Sequence, residues 1–207
     1  IRLSLVGSEM CIRDRVKPDK GKVSRTENLF YGDMEDRKVA HQSVQEYVDD
    51  MVQLFPYKAS SHKAEQIIHW AHLAEQGENS ISNLTEAEYA QLLLSIARSC
   101  QNKIIILSHV LSHLDDVFFE RAIELSDDYI KNNSTLVLID NDIDKISETT
   151  NYITWVSHGQ IRKEGSLNQV LPIFKEHEKD RKSLDSKSQQ ENFDLDWKKS
   201  RTRMPEM

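Results

Sequence analysis

The chain has 207 residues, of which 38% are hydrophobic and 29% charged, and its formal net charge is -7. These values are typical of a globular domain with a solvated surface and a tail. No apolar run approaches the roughly 20 residues that a membrane-spanning helix needs, so a role at a membrane would require a partner. The negative charge also disfavours nucleic acid as a partner, because a polyanion is repelled at long range.

We expect residues 1–15 to lie outside the fold. Within them, residues 4–15 read SLVGSEMCIRDR and resemble the translation of a transposase adapter used in sequencing-library preparation. A short natural N-terminal segment is the alternative interpretation. Cys11 belongs to this stretch, which leaves Cys100 as the only cysteine elsewhere. A disulfide framework or a cysteine-based metal site is therefore not expected, and a reducing compartment fits.

A helical subdomain is predicted over about residues 40–100, after a short strand at Asn28–Tyr31. Three stretches carry apolar residues at helical spacing: Val44–Phe55, Ala64–Ala74 and Thr85–Cys100. Thr85 and Glu88 have the spacing of a capping box, which predicts the start of the third helix. The pattern then changes to strands that alternate with helices.

Two short apolar runs, 103–107 and 135–139, predict buried parallel strands. Predicted helices follow each of them at Asp115–Ile130 and Asp142–Thr149. This alternation predicts an α/β fold with a mostly parallel sheet covered by helices.

A hairpin is predicted from Tyr152–Val156 and Gln160–Lys163, with its turn at His158-Gly159. The final predicted helix is Gln169–His177. Beyond Glu178 the chain is polar, and we expect it to be loose or only partly helical.

Two segments of the chain carry a family resemblance. Residues 103–115 read KIIILSHVLSHLD, and residues 135–171 contain the strand TLVLI, the loop DND and the predicted hairpin. The hairpin matches the family pattern at four positions: Trp155, Gly159, Ile161 and Gly165. In this order, these elements resemble the ATP-binding subunit of ABC transporters, with teichoic-acid and polysaccharide exporters as the nearest subgroup.

The resemblance covers roughly Val16–His177. It implies a partial P-loop NTPase (RecA-like) parallel sheet with an inserted helical subdomain. It further implies that residues 16–178 form an N-terminally incomplete ABC ATPase domain, and we expect a polar extension at 179–207. It also implies ATP and Mg²⁺ as cofactors, a membrane permease and a second cassette as partners, and a cytoplasmic location at the inner face of the plasma membrane.

The residues at the family's catalytic positions depart from its pattern. Ser108 and His109 stand where the family has the Walker B aspartate and glutamate, which help to hold Mg²⁺ and polarise the attacking water. Asn141 stands at the family's switch histidine. An alcohol and an imidazole do not replace carboxylates beside a metal triphosphate, because Mg²⁺ prefers anionic oxygen ligands. We therefore expect weak or no nucleotide affinity and no ATP turnover.

The other motif positions are kept only in part. The signature-like residues are Leu84, Thr85, Glu86, Ala87 and Glu88, and the D-loop-like residues are Ser112, His113, Leu114 and Asp115. Glu86 and Glu88 place negative charge where the family's helix start binds phosphate, and an ordinary N-cap with acidic residues in the first turn is the better interpretation of them. No glutamine is found for the glutamine loop, which we expect at Gly32–Met34. No Walker A loop is present either, since Gly21-Lys22 is followed by Val23.

Two other functions remain open from the sequence. The chain could be a non-enzymatic interaction module with a remnant RecA-like fold. It could also be a metal-dependent enzyme, because His109 and His113 are four residues apart, with Asp115 and Asp116 close by.

Overall fold

The computed structural model describes residues 29–38, 41–157, 160–184 and 186–201. They form two compact units, which meet in the sequence between Thr149 and Thr150. This boundary falls inside the predicted 16–178 domain. The adapter-like stretch, the Gly21-Lys22 pair and the His158-Gly159 turn lie outside the described residues.

A three-stranded parallel sheet organises the first unit. Its strands are β1 (Leu29–Asp33), β2 (Ile104–Ser108) and β3 (Thr135–Ile139), in the order β1-β2-β3. Asp33 pairs in register with Ser108, and Ser108 with Ile139. The carboxyl ends of all three strands therefore meet at one edge of the sheet. The predicted α/β class with a parallel sheet is confirmed.

Five helices accompany this sheet: α1 (Val44–Gln53), α2 (Lys63–Trp70), α3 (Glu86–Cys100), α4 (Asp116–Lys131) and α5 (Ile143–Thr149). Helices α1, α2 and α3 fall in the predicted helical subdomain at about 40–100 and are called the helical region below. Helix α3 contacts β1, α1, α2 and α4. Its side chains are buried on more than one face, including the fully buried Tyr89, Leu92 and Leu93. Apolar burial contributes about 25 cal/mol per Å², so α3 is central to the stability of this unit.

The predicted start of α3 is confirmed. The Thr85 hydroxyl accepts a hydrogen bond from the Glu88 amide at 3.2 Å, and the Glu88 carboxylate accepts one from the Thr85 amide at 2.8 Å. The two side chains thereby satisfy backbone donors that a helix N-terminus otherwise leaves unpaired.

Strand β1 is longer than predicted. We expected a loop at Gly32–Met34, but Gly32 and Asp33 continue the strand and Met34 opens a 3₁₀ turn. A side-chain carbon on Gly32 would lie 3.1 Å from Leu107 and 3.4 Å from Leu93. The absence of a side chain therefore lets α3 pack closely on the strand, which explains a glycine in this strand.

Helix α2 is shorter than predicted. The apolar spacing suggested a helix that reaches Ala74, but α2 ends at Trp70. His72 has φ 60°, which is left-handed backbone and cannot continue a helix. A separate 3₁₀ turn, Ala74–Gln76, follows.

The second unit contains the predicted hairpin and two helices. Its elements are β4 (Tyr152–Ser157), β5 (Gln160–Ser166), α6 (Leu167–Lys182) and α7 (Lys187–Arg201). The two strands pair antiparallel. The chain beyond Glu178 was expected to be loose or only partly helical; in the described residues α6 continues past Glu178 to Lys182, and α7 spans Lys187–Arg201.

Packing within the second unit explains why α7 is ordered. Asp194 of α7 is buried, with Arg181 Nε 3.1 Å and His177 Nε2 3.4 Å from its carboxylate oxygens. The His177 ring lies edge-on to Trp155, with ring centres 4.8 Å apart. The second unit is polar in composition, but Trp155, His177, Arg181 and Asp194 form a small buried core of aromatic and charged side chains.

In the described residues of both units, no helix is long and apolar enough to cross a membrane.

Candidate functional site

A cavity of about 300 Å³ opens at the carboxyl edge of the parallel sheet. Its walls come from the segments that follow β1, β2 and β3 and from the first residue of α3. The lining residues are Met34, Glu35, Arg37, Lys38, Glu86, His109, Ser112, His113 and Asn141. The cavity therefore brings together residues from the predicted catalytic, D-loop-like, signature-like and switch positions.

Ser108 and His109 have different environments. Ser108 is fully buried at the end of β2, and its hydroxyl has no hydrogen-bond partner in the described part of the chain. His109 has φ 59°, and its amide donates to the Ile139 carbonyl at 2.6 Å. This turn takes the chain out of the sheet and places His109, but not Ser108, on the cavity wall.

Asp140 is a buried carboxylate that sequence reasoning missed. It follows β3 directly, and its Oδ1 accepts hydrogen bonds from the amides of Asn141 and Asp142 at 2.7 and 3.1 Å. Its Oδ2 accepts from the amide and the hydroxyl of Ser112 at 3.1 and 3.3 Å. Asp140 therefore holds the switch-position residue and the D-loop-like turn in fixed positions.

A second missed carboxylate ends strand β1, which lies on the other side of β2 from β3. Asp33 is buried, and its Oδ1 accepts a hydrogen bond from the Glu35 amide at 3.0 Å. A signal for both residues was present in the sequence, because each aspartate directly follows an apolar strand run, FYGD or LVLID. Such positions lie at the carboxyl edge of a parallel sheet, where α/β proteins build their sites.

The D-loop-like residues are only partly at the cavity. The 3₁₀ turn Leu111–His113 presents Ser112 and His113 to it, whereas Leu114 is buried and Asp115 caps α4 by accepting from the Phe118 amide at 2.8 Å. Lys145 Nζ donates to the carbonyls of Leu111 and Leu114 at 3.0 and 2.7 Å. The turn is thus held by Asp140 on one side and by Lys145 on the other.

Of the signature-like residues, only Glu86 lines the cavity. Its carboxylate lies 3.3 Å from His113 Nδ1 and 3.8 Å from Arg37 Nη2. Arg37 also donates to the carbonyl of Leu84. Thr85 and Glu88 serve the capping box, and Ala87 is exposed on the first turn of α3. The carboxylate at this helix start therefore faces the guanidinium of Arg37 and the imidazole of His113.

The donor set does not fit a metal ion. Among the described residues, no group of three or more His, Cys, Asp or Glu side chains could hold one. Both oxygens of Asp140 already accept hydrogen bonds from N–H or O–H donors, and His113 is directed at Glu86. The metal-enzyme alternative, which rested on His109 and His113, therefore has no complete ligand set here. The family's Mg²⁺ likewise lacks its two carboxylates.

A second cavity, of about 500 Å³, lies at the end of α2 and is lined by His69, Trp70, His72, Ala74, Glu75, Gln76 and Arg121. The Arg121 guanidinium carbon lies 4.4 Å from the centre of the Trp70 ring, and that of Arg98 lies 4.7 Å from it. Arg121 also donates to the Trp70 carbonyl at 3.0 Å. These contacts hold Arg121 in place, and none of the predicted site residues lies here.

Known proteins resemble this chain in sequence. No protein-family model matches it. The teichoic acids export ATP-binding protein TagH of Staphylococcus haemolyticus is 26% identical over 128 residues, which is 62% of this chain and 48% of that protein. TagH of Staphylococcus saprophyticus is 24% identical over 136 residues, 66% of this chain and 51% of that protein. The chain thus spans about half the length of these relatives.

Solved structures resemble it in fold. An ATP-binding subunit of an ABC transporter aligns with a TM-score of 0.64 at 11% identity, covering 84% of this chain and 79% of that one. A dimeric ATP-binding cassette in a post-hydrolysis state, bound to ADP and Pi, aligns with a TM-score of 0.54 at 15% identity, covering 68% of this chain and 64% of that one. The fold and the relatives together confirm the resemblance predicted from the sequence: the chain is similar to ABC-transporter ATP-binding subunits of the teichoic-acid export type.

Proposed function

We propose that this chain is the ATP-binding-cassette subunit of a bacterial exporter of teichoic acid or a related cell-surface polysaccharide. The cavity at the carboxyl edge of the sheet carries this proposal, because it gathers His109, Ser112, Asn141 and Glu86 from four separate motif positions. The substrate class comes from the relatives, which are teichoic acids export proteins.

The cassette is catalytically impaired in this proposal. Efficient phosphoryl transfer needs a metal held by carboxylate oxygen and a residue that orients the attacking water. Ser108 offers a neutral hydroxyl that is buried away from the cavity, and His109 offers an imidazole. The subunit would then act as the non-hydrolysing half of a pair with a second cassette, or as a docking scaffold.

The partner in the membrane would be a permease, which would place the chain at the inner face of the plasma membrane. The helical region supports this, because an apolar side chain is exposed there: Leu54, at the end of α1, is 74% exposed. Among the large apolar side chains that are exposed in the described residues, Leu54 has the highest exposed fraction. Leu54 is therefore our candidate for the permease contact.

Co-purification from membranes tests the proposal. The chain is co-expressed with the permease of a teichoic-acid exporter, and the complex is captured through the permease. We expect capture of the wild-type chain and loss of capture for Leu54→Glu. Ile130→Glu is the matched control, because Ile130 is 52% exposed on α4, outside the helical region. If the wild-type chain is not captured, or if both variants bind equally, the proposal is wrong.

An interaction module without any nucleotide site is the second candidate. It is favoured by the contacts of Glu86 with His113 and Arg37, which fill part of the cavity wall with the chain's own ion pairs. Phosphate binding at the cavity separates the two candidates, because a pure interaction module has no need of it.

A further inference from the structure

We propose that the cavity beside His109 takes a phosphate group directly, without a divalent metal ion. This inference rests on the proposed function, since it concerns the phosphate end of the same site. The family holds Mg²⁺ with carboxylates, and this chain has Ser108 and His109 at those positions instead.

Carboxylates at a phosphate site create a need for a metal ion. Two negative carboxylates repel a phosphate, and a divalent cation between them offsets that repulsion. The hydroxyl of Ser108 and the imidazole of His109 carry no negative charge, so this repulsion is absent at the two positions. With Ser108 and His109 in place of the family's two carboxylates, the metal loses its ligands. A phosphate also no longer needs a cation to offset carboxylate repulsion at these positions.

The remaining carboxylates near the sheet edge do not restore the metal site. Asp140 accepts four hydrogen bonds from N–H and O–H donors, so its lone pairs are already occupied. Asp33 accepts from the Glu35 amide. Neither carboxylate lines the cavity.

The cavity wall itself is rich in groups that bind phosphate. Two imidazoles, of His109 and His113, and the hydroxyl of Ser112 can each donate a hydrogen bond. Arg37 and Lys38 add positive charge, and a guanidinium suits phosphate geometry. A volume of about 300 Å³ is at the lower limit of small-molecule pockets, which suits a phosphate group more than a whole nucleotide.

Two acidic residues of the wall currently occupy these donors. Lys38 Nζ pairs with Glu35 at 2.7 Å, and Glu86 pairs with His113 and Arg37. The side chains of Glu35 and Glu86 are 68% and 59% exposed, whereas those of His113 and Arg37 are 31% and 20% exposed. Water therefore screens each of these pairs at least on its carboxylate side, which keeps the pairs weak. A phosphate dianion can therefore replace a single carboxylate as the partner of Lys38, Arg37 and His113.

Isothermal titration calorimetry of the full chain with inorganic phosphate tests the inference. The titration is run twice, once in EDTA to remove divalent metal ions and once in excess MgCl₂. We expect one site whose affinity agrees within about twofold between the two conditions, since the metal has no place in the site. Strict dependence on Mg²⁺ would overturn the inference, and so would the absence of binding.

Three variants locate the site. His109→Asn should weaken phosphate binding about tenfold, and asparagine tolerates the left-handed backbone at φ 59°. Glu86→Gln should tighten binding about two- to fivefold, because it releases Arg37 and His113. Glu120→Gln, on an exposed position of α4 outside the cavity, is the control and should change nothing.

Equal affinity of all three variants would place the phosphate elsewhere and overturn the inference. If His109→Asn does not fold, Glu86→Gln decides alone, because Glu86 is 59% exposed and the change affects only its contacts with His113 and Arg37. Phosphate binding and permease capture fail independently of each other. A chain that is captured by the permease but ignores phosphate refutes this inference and favours the interaction module over a cassette with a phosphate site. A chain that binds phosphate but is not captured refutes only the proposed permease partner.

Discussion

The carboxylate of Asp140 accepts hydrogen bonds from both the amide and the hydroxyl of Ser112, at 3.1 and 3.3 Å. Asp140 follows β3, whereas Ser112 lies in the turn after β2, so these bonds join two segments that are 28 residues apart. The same carboxylate holds the amide of Asn141. The cavity edge is therefore fixed by one buried charged group.

Asp140→Asn should destabilise the chain by about 1–3 kcal/mol, because a side-chain NH₂ would face backbone donors in place of a carboxylate oxygen. Urea unfolding followed by circular dichroism measures the change. Asp127→Asn is the control, since Asp127 is exposed and pairs with Lys131 at only 3.9 Å, and it should cost less than about 0.5 kcal/mol. Equal costs for the two variants would show that Asp140 has no special structural role.

ATP turnover by the purified chain should not exceed the buffer background, with or without MgCl₂. The physical reason is the absence of anionic oxygen at Ser108 and His109 to hold a metal triphosphate and orient water. A coupled phosphate-release assay measures the rate. A rate above background that disappears in His109→Asn would contradict the prediction and assign catalysis to the imidazole.

Cys100 should be unreactive in the folded chain. Burial raises the pKa of its thiol to about 11, so little thiolate is present at pH 8. A variant with Cys11→Ser isolates Cys100 for labelling with a maleimide or an aromatic disulfide. We expect labelling only when urea unfolds the chain, and rapid labelling of the native form would contradict the buried position.

The raised pKa of Cys100 also predicts how stability depends on pH. The folded thiol keeps its proton more tightly than the unfolded thiol, whose ordinary pKa is 9.0. Its contribution to stability is therefore full below about pH 9 and is lost as the pH rises through about 11. Burial also raises the pKa of the Tyr89 and Tyr129 hydroxyls, which adds to the same loss at higher pH. Thermal unfolding between pH 8 and 11 should show a falling melting temperature.

Asp194→Asn should release α7 from the second unit. The change removes the negative charge that faces Arg181 and His177, and loss of a buried charged partner costs about 1–3 kcal/mol or more. Limited proteolysis should then cut within 186–201 at a higher rate. Asp180→Asn is the control, because Asp180 is exposed on α6. Unchanged proteolysis of Asp194→Asn would show that other contacts hold α7.

Several elements were predictable because their determinants are local. The β-branched runs at 103–107 and 135–139 specify strands, and Thr85 with Glu88 specifies the start of α3 within four residues. The end of α2 was not predictable in this way. Apolar spacing continues to Ala74, but the chain turns at His72 for a reason that lies in tertiary packing, where Arg121 reaches the Trp70 carbonyl.

The residues of the candidate site were likewise predictable only in part. The resemblance of residues 103–115 and 135–171 led to His109, Ser112, His113 and Asn141, and the structure gathers these four at one cavity. Arg37 and Lys38 could not be found in this way, because they belong to no motif and reach the cavity only through the 3₁₀ turn after β1.

The sequence by itself determined the class of fold, the order of its elements and the absence of acidic residues at positions 108 and 109, because these depend on residue type and spacing along the chain. Only the tertiary structure decided that Asp140 ties the turn after β2 to the loop after β3, that Glu86 meets Arg37 and His113, and that α7 packs through Asp194. Contacts of this kind join residues far apart in the chain, and their strength depends on burial and geometry, which exist only once the chain has folded.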